Sequence, residues 1–364
     1  MATVSEPLPS QSGKKPSSAK EWWRRTSSNR AAYMYLIPAA IVMGLITFYP
    51  MLYQVWMSFT DYNVKNIRQD SPPPNPVGFQ NYLDILPDKI TVLGREIDIP
   101  GTGKLAAKIP NFSFTRVLAF NLVWTFLNVP IHVALGIMIA LLLNTPGLWG
   151  KKIYRAIYVL PMVIPWLVIA TIWRNMFDQD YGSINLFLST IGGLFGIPAE
   201  VFRIRWMESI TPPFQWLFPG MPLPLSFFAM MITNMWVGWP FMCIVATGAL
   251  QSIPKDLYEA ASIDGANGWQ QFRSITGPLL RPAMIPAAMV GIIITFNLFN
   301  CIFFMSGGGP LRQTQILVTT AYDLVNAQRL YGSAAAFCVI IFLVLLGLTL
   351  FTNRITRATE RYDV

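Results

Sequence analysis

The sequence predicts an all-α, polytopic membrane protein with six transmembrane helices, and two observations carry that prediction. First, 53% of the 364 residues are hydrophobic, 12% are charged and the mean hydropathy is +0.44, which is too apolar for a soluble domain of this length. Second, six apolar stretches without Asp, Glu, Lys or Arg are long enough, at about 1.5 Å per residue, to cross a hydrocarbon core about 30 Å thick. They cover residues 32–58, 117–143, 156–173, 223–250, 284–305 and 334–352.

We expect one transmembrane domain, residues 32–364, preceded by a disordered basic tail, residues 1–31. The tail is rich in Ser, Pro, Lys and Arg, so it cannot bury a core. Two long loops, 59–116 and 174–222, connect spans on one side of the membrane, and a polar segment, 251–282, lies on the other. No region outside the membrane is large enough for an independent catalytic domain.

Each long loop has one predicted element of secondary structure. In the first loop, a Gly-X turn at Gly94 between the short runs 90–93 (Ile-Thr-Val-Leu) and 96–99 (Glu-Ile-Asp-Ile) predicts a β-hairpin. In the second loop, the apolar stretch 184–197 predicts a short helix lying at the membrane interface.

The charge distribution predicts the orientation of the chain. With the amino terminus in the cytoplasm, the inner segments 1–31, 144–155, 251–283 and 353–364 carry 15 basic and 7 acidic residues, and the outer segments carry 12 and 11. Because inner loops of membrane proteins are enriched in Lys and Arg, both termini and the polar segment are expected on the cytoplasmic side. The net charge of +9 therefore reflects topology, and no nucleic-acid partner is expected.

The polar segment 251–282 is predicted to form two short helices separated by a sharp break. Pro254 suits a first helical turn and Gly265 a helix stop. One face of the first helix has small side chains against which another backbone can approach closely. An ordinary loop packed on its own helices fits the same spacing. The residues of this face, at i, i+3, i+4 and i+7, are Leu257, Ala260, Ala261 and Asp264.

Several kinds of chemistry are missing from the sequence. Gly103-Lys104 lacks the spacing of a phosphate-binding loop, and the spans have no carboxylate or basic residue for ion coupling. His132, the single histidine, could relay protons but is more often a packing residue in such a span. The three cysteines lie in apolar spans, so we expect no disulfide and no metal. Energy coupling is thus left to a partner, and a membrane-embedded enzyme is disfavoured.

The polar groups within the spans are amides placed near aromatic rings. One set lies on the fourth predicted span and another on the fifth, where its members are expected to share a helical face. Amides bind hydroxyls and aromatic rings stack on the apolar face of a sugar, although amides that only bond helix to helix fit equally well. The two sets are Asn234, Gly238 and Phe241, and Phe296, Asn297 and Asn300.

The runs Glu259-Ala260-Ala261 and Asp264-Gly265-Ala266, followed by Ile275 and Pro278, resemble the EAA loop of ABC-importer permeases. In that family the loop is a coupling helix that seats in a groove of the cytoplasmic ATPase subunit. The resemblance implies that ATPase coupling is carried by Leu257, Glu259, Ala260, Ala261, Asp264 and Gly265.

From about residue 33 onward the chain resembles the maltose and maltodextrin (MalF-like) permease family, also at Ser58-Phe59-Thr60-Asp61 and at the Gly-Gly-Gly-Pro loop. Phe241 stands where that family has a tyrosine, and the large extracellular insertion of some members is absent. The resemblance implies a transmembrane sugar site formed by Asn234, Val237, Gly238, Phe241, Phe296, Asn297 and Asn300.

The resemblance implies a permease subunit of a prokaryotic cytoplasmic membrane, with ATP bound by a partner subunit and no cofactor or catalytic residue of its own. The expected partners are a second related permease, an ATPase dimer, an extracytoplasmic sugar-binding protein, the sugar and membrane lipid. Maltose or maltodextrin is the expected cargo. Trehalose, another oligosaccharide or glycerol phosphate, and a secondary sugar carrier working alone, are the alternatives.

Overall fold

The computed structural model describes residues 30–68, 70–86, 96–99, 103–106, 112–145, 147–213 and 223–356. The predicted tail lies outside this range except for its last two residues. The chain divides into two compact units, Met1–Trp56 and Met57–Val364, which we describe separately.

The described part of the first unit is one helical run. It begins with α1 (Arg30–Met43), continues through a π-helical turn (Gly44–Phe48) and extends into α2 (Tyr49–Met57). Residues Met34–Met57 are long and apolar enough to span a membrane, so the first predicted span, 32–58, is confirmed.

The second unit contains three predicted spans as continuous helices: α4 (Phe114–Asn144), α8 (Leu225–Ser252) and α14 (Tyr331–Thr356). Ser113 caps α4, because its hydroxyl accepts the backbone N–H of Arg116 at 3.2 Å. Each helix passes the length and hydropathy test for a membrane span. The second, fourth and sixth predicted spans are therefore confirmed.

The third predicted span, 156–173, is not one helix. The structure has α5 (Lys151–Val163) and α6 (Trp166–Met176), bent by 96° at the break between them. Ile164 is extended there (φ −73°, ψ 131°), which is the conformation that proline favours in the residue before it. The described residues thus contain five helices able to cross a membrane, or six if the bent pair counts as one span.

The fifth predicted span, 284–305, lies within Gly268–Ser306, which is long and apolar enough to cross a membrane, and its helix is interrupted at Asn297 and Leu298. A continuous helical run consists of α10 (Gly268–Gln271), a π-helical turn (Phe272–Thr276) and α11 (Gly277–Phe296). The second half of the polar segment is therefore the start of this span and not a separate short helix. After Leu298, whose backbone is not helical (φ −75°, ψ 68°), α12 (Phe299–Ser306) begins. The prediction that Phe296, Asn297 and Asn300 share one helical face is wrong for this reason.

The described parts of the connecting loops contain short elements. In the first loop are α3 (Gln80–Ile85) and an antiparallel hairpin of β1 (Glu96–Ile99) and β2 (Gly103–Ala106). The predicted hairpin partner of 96–99, residues 90–93, lies outside the described residues, and the strand pairs with β2 instead. The second loop has the predicted short helix, α7 (Ser183–Leu194).

The buried core of the second unit is organised around α4. Its amino-terminal end packs with α14 and with α13 (Leu317–Asn326). Its middle packs with α8 and α12, where Trp124 meets Phe227 edge-to-face at 5.8 Å between ring centroids. Its carboxy-terminal end packs with α8 and α11. Since α4 contributes to all three clusters, its position fixes the other spans of this unit.

Polar side chains of α4 secure the break after α11. The Asn121 amide donates to the carbonyl of Phe296 at 3.0 Å, and its oxygen accepts the N–H of Leu317 at 2.9 Å. The Trp124 indole donates to the carbonyl of Thr295 at 3.2 Å. A helix break within the membrane frees carbonyls that must find new donors, and α4 supplies them.

Candidate functional site

The polar segment is built around a short helix with a well-defined end. Its helix α9 (Lys255–Ile263) follows Pro254, as predicted. Gly265 adopts the left-handed conformation (φ +78°) and donates to the carbonyl of Ser262, while Ala266 donates to that of Ala261. This pair of bonds is the Schellman arrangement, for which a glycine is strongly preferred. The predicted glycine stop is therefore confirmed.

The segment is fastened to the start of the fifth span. The Tyr258 hydroxyl lies 2.9 Å from that of Thr276, and the Gln271 amide donates to the carbonyl of Ala266 at 3.2 Å. Asn267 and Gln270 form a reciprocal capping box at the beginning of α10. Because these bonds cross the turn between α9 and the fifth span, the two helices are held at a fixed angle.

The predicted docking face of α9 is exposed on the surface of the chain. All six residues proposed for coupling are exposed apart from Ala261, which is half-buried. A Cβ added at Gly265 meets no atom within 4 Å. The same segment exposes two large apolar side chains, Ile263 at 87% and Trp269 at 69%. Both side chains are available for contact with another surface, and the sequence spacing does not point to either of them.

On α8 the predicted sugar-site residues lie at the contact with α4. Asn234 is 3% exposed, and its Nδ2 has no hydrogen-bond partner among the described residues. Val237, Gly238 and Phe241 are half-buried, and Phe241 packs on the core cluster at the carboxy-terminal end of α4. The amide is thus buried, and three residues beside it are partly accessible.

Gly238 is the position where α8 receives a side chain from α4. A Cβ built on Gly238 would lie 2.3 to 2.6 Å from three ring atoms of His132, closer than real contacts allow. The imidazole therefore occupies the space that any larger residue at 238 would need. His132 itself is 3% exposed. The sequence favours a packing role for this histidine, and the structure shows that it packs against Gly238.

The residues predicted on the fifth span are separated by the break. Phe296 is wholly buried in the core cluster at the amino-terminal end of α4, so its ring does not face a pathway in this structure. Asn297 ends α11 and donates from Nδ2 to the carbonyl of Ile293 at 3.1 Å. Asn300 is exposed on α12. Of the three, only the two amides are accessible.

The second long loop, residues 174–222, has a small charged cleft lined in part by Arg174, Asp178 and Arg205. The backbone N–H groups of Tyr181 and Asp180 donate to the Asp178 carboxylate, each at 2.9 Å, and lower the pKa of that carboxyl. No group of three or more His, Cys, Asp or Glu able to hold a metal is present among the described residues.

A known protein-family model covers the polar segment and the candidate residues of α8, α11 and α12. Residues 132–361 match the family model described as "binding-protein-dependent transport system inner membrane component". The chain belongs to this family. It is therefore a multi-pass inner-membrane transport component, a permease subunit and not an enzyme, and ATP hydrolysis resides on a separate ATPase subunit.

Curated relatives of this permease are named for oligosaccharide transport. The galactooligosaccharides transport system permease protein GanP of Bacillus subtilis is 30% identical over 96% of this chain and 77% of its own length. The maltodextrin permease MalC of Streptococcus pneumoniae is 27% identical over 96% and 74%. The trehalose/maltose permease MalF of Thermococcus litoralis is 29% identical over 90% and 94%.

A solved structure has the same fold as the permease. A chain from a bacterial ABC transporter involved in the import of the polysaccharide alginate matches with a TM-score of 0.65 and 21% identity. The match covers 94% of this permease and all of that chain. The ABC-importer permease fold expected from the sequence is confirmed.

Proposed function

We propose that this permease imports a neutral oligosaccharide, maltose or maltodextrin, in a complex with a second permease, an ATPase dimer and an extracytoplasmic binding protein. The observation that carries the proposal is the similarity, over nearly the whole chain, to permeases named for maltodextrin and trehalose/maltose transport. The amides at Asn234, Asn297 and Asn300 are neutral donors and acceptors, as hydroxyl recognition requires.

In this proposal α9 is the coupling helix and faces the cytoplasm, as do both termini. Its exposed face (Leu257, Glu259, Ala260, Asp264 and Gly265) seats in the ATPase, and the half-buried Ala261 supports it from behind. The exposed Ile263 and Trp269 widen that contact. The hydrogen bonds from Tyr258 and Gln271 to neighbouring turns then pass a displacement of α9 to the fifth span.

The sugar pathway in this proposal runs past Asn234, Val237, Gly238 and Phe241 on α8 and past Asn297 and Asn300 on the broken fifth span. Phe296 contributes indirectly, because its carbonyl is held by Asn121 next to Asn297. Phe241 lacks a hydroxyl, so it offers a stacking surface without a hydrogen bond.

A second candidate cargo is a galactooligosaccharide, favoured by the 30% identity to a permease named for that substrate. Purified complexes, assembled from this chain and its native partners in proteoliposomes, would distinguish the two. Labelled maltodextrin taken up with ATP, and not competed by galactooligosaccharide, supports maltodextrin. The opposite pattern supports the second candidate, and uptake of neither sugar contradicts the proposed function.

The pathway assignment is tested by Asn297→Leu, with Asn326→Leu as a matched control. Both asparagines donate from Nδ2 to the carbonyl four residues earlier, at 3.1 Å, so both variants lose the same local bond. We expect Asn297→Leu to assemble and to depress sugar import, while ATP hydrolysis still responds to the binding protein. Asn326→Leu should import normally. Unchanged import by assembled Asn297→Leu would remove this residue from the pathway.

A further inference from the structure

Three buried polar side chains lie on α4 and α8, which pack against each other in the core. Asn128 is 0% exposed, and His132 and Asn234 are each 3% exposed. Each has a side-chain atom without a hydrogen-bond partner among the described residues: Oδ1 of Asn128, Nε2 of His132 and Nδ2 of Asn234. An unpaired buried polar group costs about 1 to 3 kcal/mol, so a ligand that bonds to these atoms would be stabilised by them.

The helix contacts place these groups at neighbouring levels. His132 touches Gly238, and one turn further along, a Cβ on Gly136 would meet Met242 and the backbone of Cys243. The contacts advance together along both helices, so α4 and α8 run in the same direction. Asn128, one turn before His132, therefore lies level with Asn234, one turn before Gly238.

The chemistry of the three atoms favours a hydroxyl. Asn128 uses its Nδ2 to donate to the carbonyl of Trp124 at 2.7 Å, which leaves Oδ1 as an acceptor. Asn234 offers Nδ2 as a donor, and an imidazole nitrogen can do either. A sugar hydroxyl donates and accepts at once, so it satisfies both kinds of group. A cation is bound by several oxygen ligands, and among these three side chains only Asn128 Oδ1 is an unpaired oxygen.

We propose that Asn128 and His132 extend the sugar pathway from α8 onto α4, forming with Asn234 a hydroxyl-binding cluster that helps select the cargo. The inference rests on the proposed function and goes beyond it, because no residue of α4 was assigned to the pathway. In this structure the imidazole fills the space at Gly238, so a sugar hydroxyl enters when the ring swings out of that space. His132 is then a residue that determines cargo specificity. Gly238 is the residue whose missing side chain leaves room for the His132 ring.

The experiment compares His132→Leu, His132→Gln and Asn128→Leu in the complete complex in proteoliposomes. The matched control is Thr247→Val, which removes a buried hydroxyl on α8 that already bonds the carbonyl of Cys243 at 2.7 Å. The readouts are sugar uptake against concentration at saturating binding protein, and uptake of monodeoxy analogues of the transported sugar. Assembly and binding-protein-stimulated ATP hydrolysis are measured on the same samples.

We expect the two leucine variants to assemble, to need about tenfold more sugar for half-maximal uptake, which corresponds to about one buried hydrogen bond, and to keep stimulated ATP hydrolysis. His132→Gln retains a donor and an acceptor and should recover most of the loss. At least one monodeoxy sugar should be carried equally by the wild type and His132→Leu, because the contacted hydroxyl is already gone. Thr247→Val should behave as the wild type does.

Two outcomes would overturn the inference without touching the proposed function. One is uptake by the leucine variants with unchanged concentration dependence and unchanged preference among the monodeoxy sugars. The other is failure of all three cluster variants to assemble while Thr247→Val assembles, since that would make the cluster a packing element. A wild-type complex that imports no oligosaccharide would instead defeat the proposed function itself.

Discussion

Replacing Gly238 by alanine should destabilise the permease, although alanine favours a helix. The new Cβ would lie 2.3 to 2.6 Å from three atoms of the His132 ring, so the imidazole or α8 has to move. Overpacking of this kind costs typically about 1 to 3 kcal/mol. We expect Gly238→Ala to lower the free energy of unfolding by that amount, measured by thermal unfolding of the purified complex.

Gly248 provides a matched control on the same helix. A Cβ built there meets no atom within 4 Å, so Gly248→Ala should only gain helix propensity, about 0.5 to 1 kcal/mol. The two substitutions are chemically identical and lie on one helix. The expected opposite signs therefore depend on the environment of each glycine alone.

The double substitution His132→Ala with Gly238→Ala identifies the partner. Removing the ring by itself leaves a cavity, but in the double variant the alanine Cβ occupies part of that space. The double variant should therefore be more stable than the sum of the single effects by about 1 to 3 kcal/mol, a coupling expected for residues in contact. Additive effects, or a stable Gly238→Ala protein, would show that the imidazole does not occupy this space.

Two further predictions concern the polar segment and the orientation of the chain. Gly265→Val should separate ATP hydrolysis from sugar import, because a branched residue is strained at φ +78° by about 1 to 2 kcal/mol; normal import by this variant contradicts the coupling assignment. A cysteine replacing the exposed Gly193 of the second outer loop should react with an impermeant thiol reagent in intact cells, and one replacing the exposed Gly268 should not; the reverse pattern would invert the topology.

Composition and length were enough to predict α4, α8 and α14 to within a few residues. The reason is physical: a segment in hydrocarbon must satisfy its backbone internally, so a long apolar run without charge has few options besides a helix. The same reasoning could not predict which prolines interrupt a span. Pro130 and Pro240 remain inside α4 and α8, whereas the chain bends by 96° at Ile164–Pro165. Neighbouring helices decide whether the freed carbonyls find donors, and a sequence read alone does not contain those neighbours.

Only part of the candidate site could be predicted from the sequence, because the rest depends on contacts between residues that are distant in sequence. The glycine that ends α9 and the exposure of its small face follow from local sequence, and the structure has both. The interruption of the fifth span at Asn297 and Leu298 could not be predicted, because the carbonyls beside it bond to Asn121 and Trp124, more than 170 residues away in sequence. The sequence does not place His132 in the pathway, because a single histidine in an apolar span indicates no function until its contact with Gly238 is known.

In the proposed mechanism, the fifth span is the route by which a movement of α9 reaches the sugar pathway. From Gly268 to Phe296 the chain is one helical run, so at about 1.5 Å per residue it forms a rod that crosses the membrane. Tyr258 joins α9 to Thr276 near the base of this rod, Gln271 joins the rod to the turn after α9, and Asn121 holds its far end. We propose that a displacement at one end of this run is passed along it to the other end. The helix is interrupted at Asn297 and Leu298, next to the end that Asn121 holds. Asn297, the amide that we propose for the sugar pathway, lies at this interruption. A shift of α9 on the ATPase would therefore reorient this amide first, while the residues of α8, held against α4 by the core, stay in place.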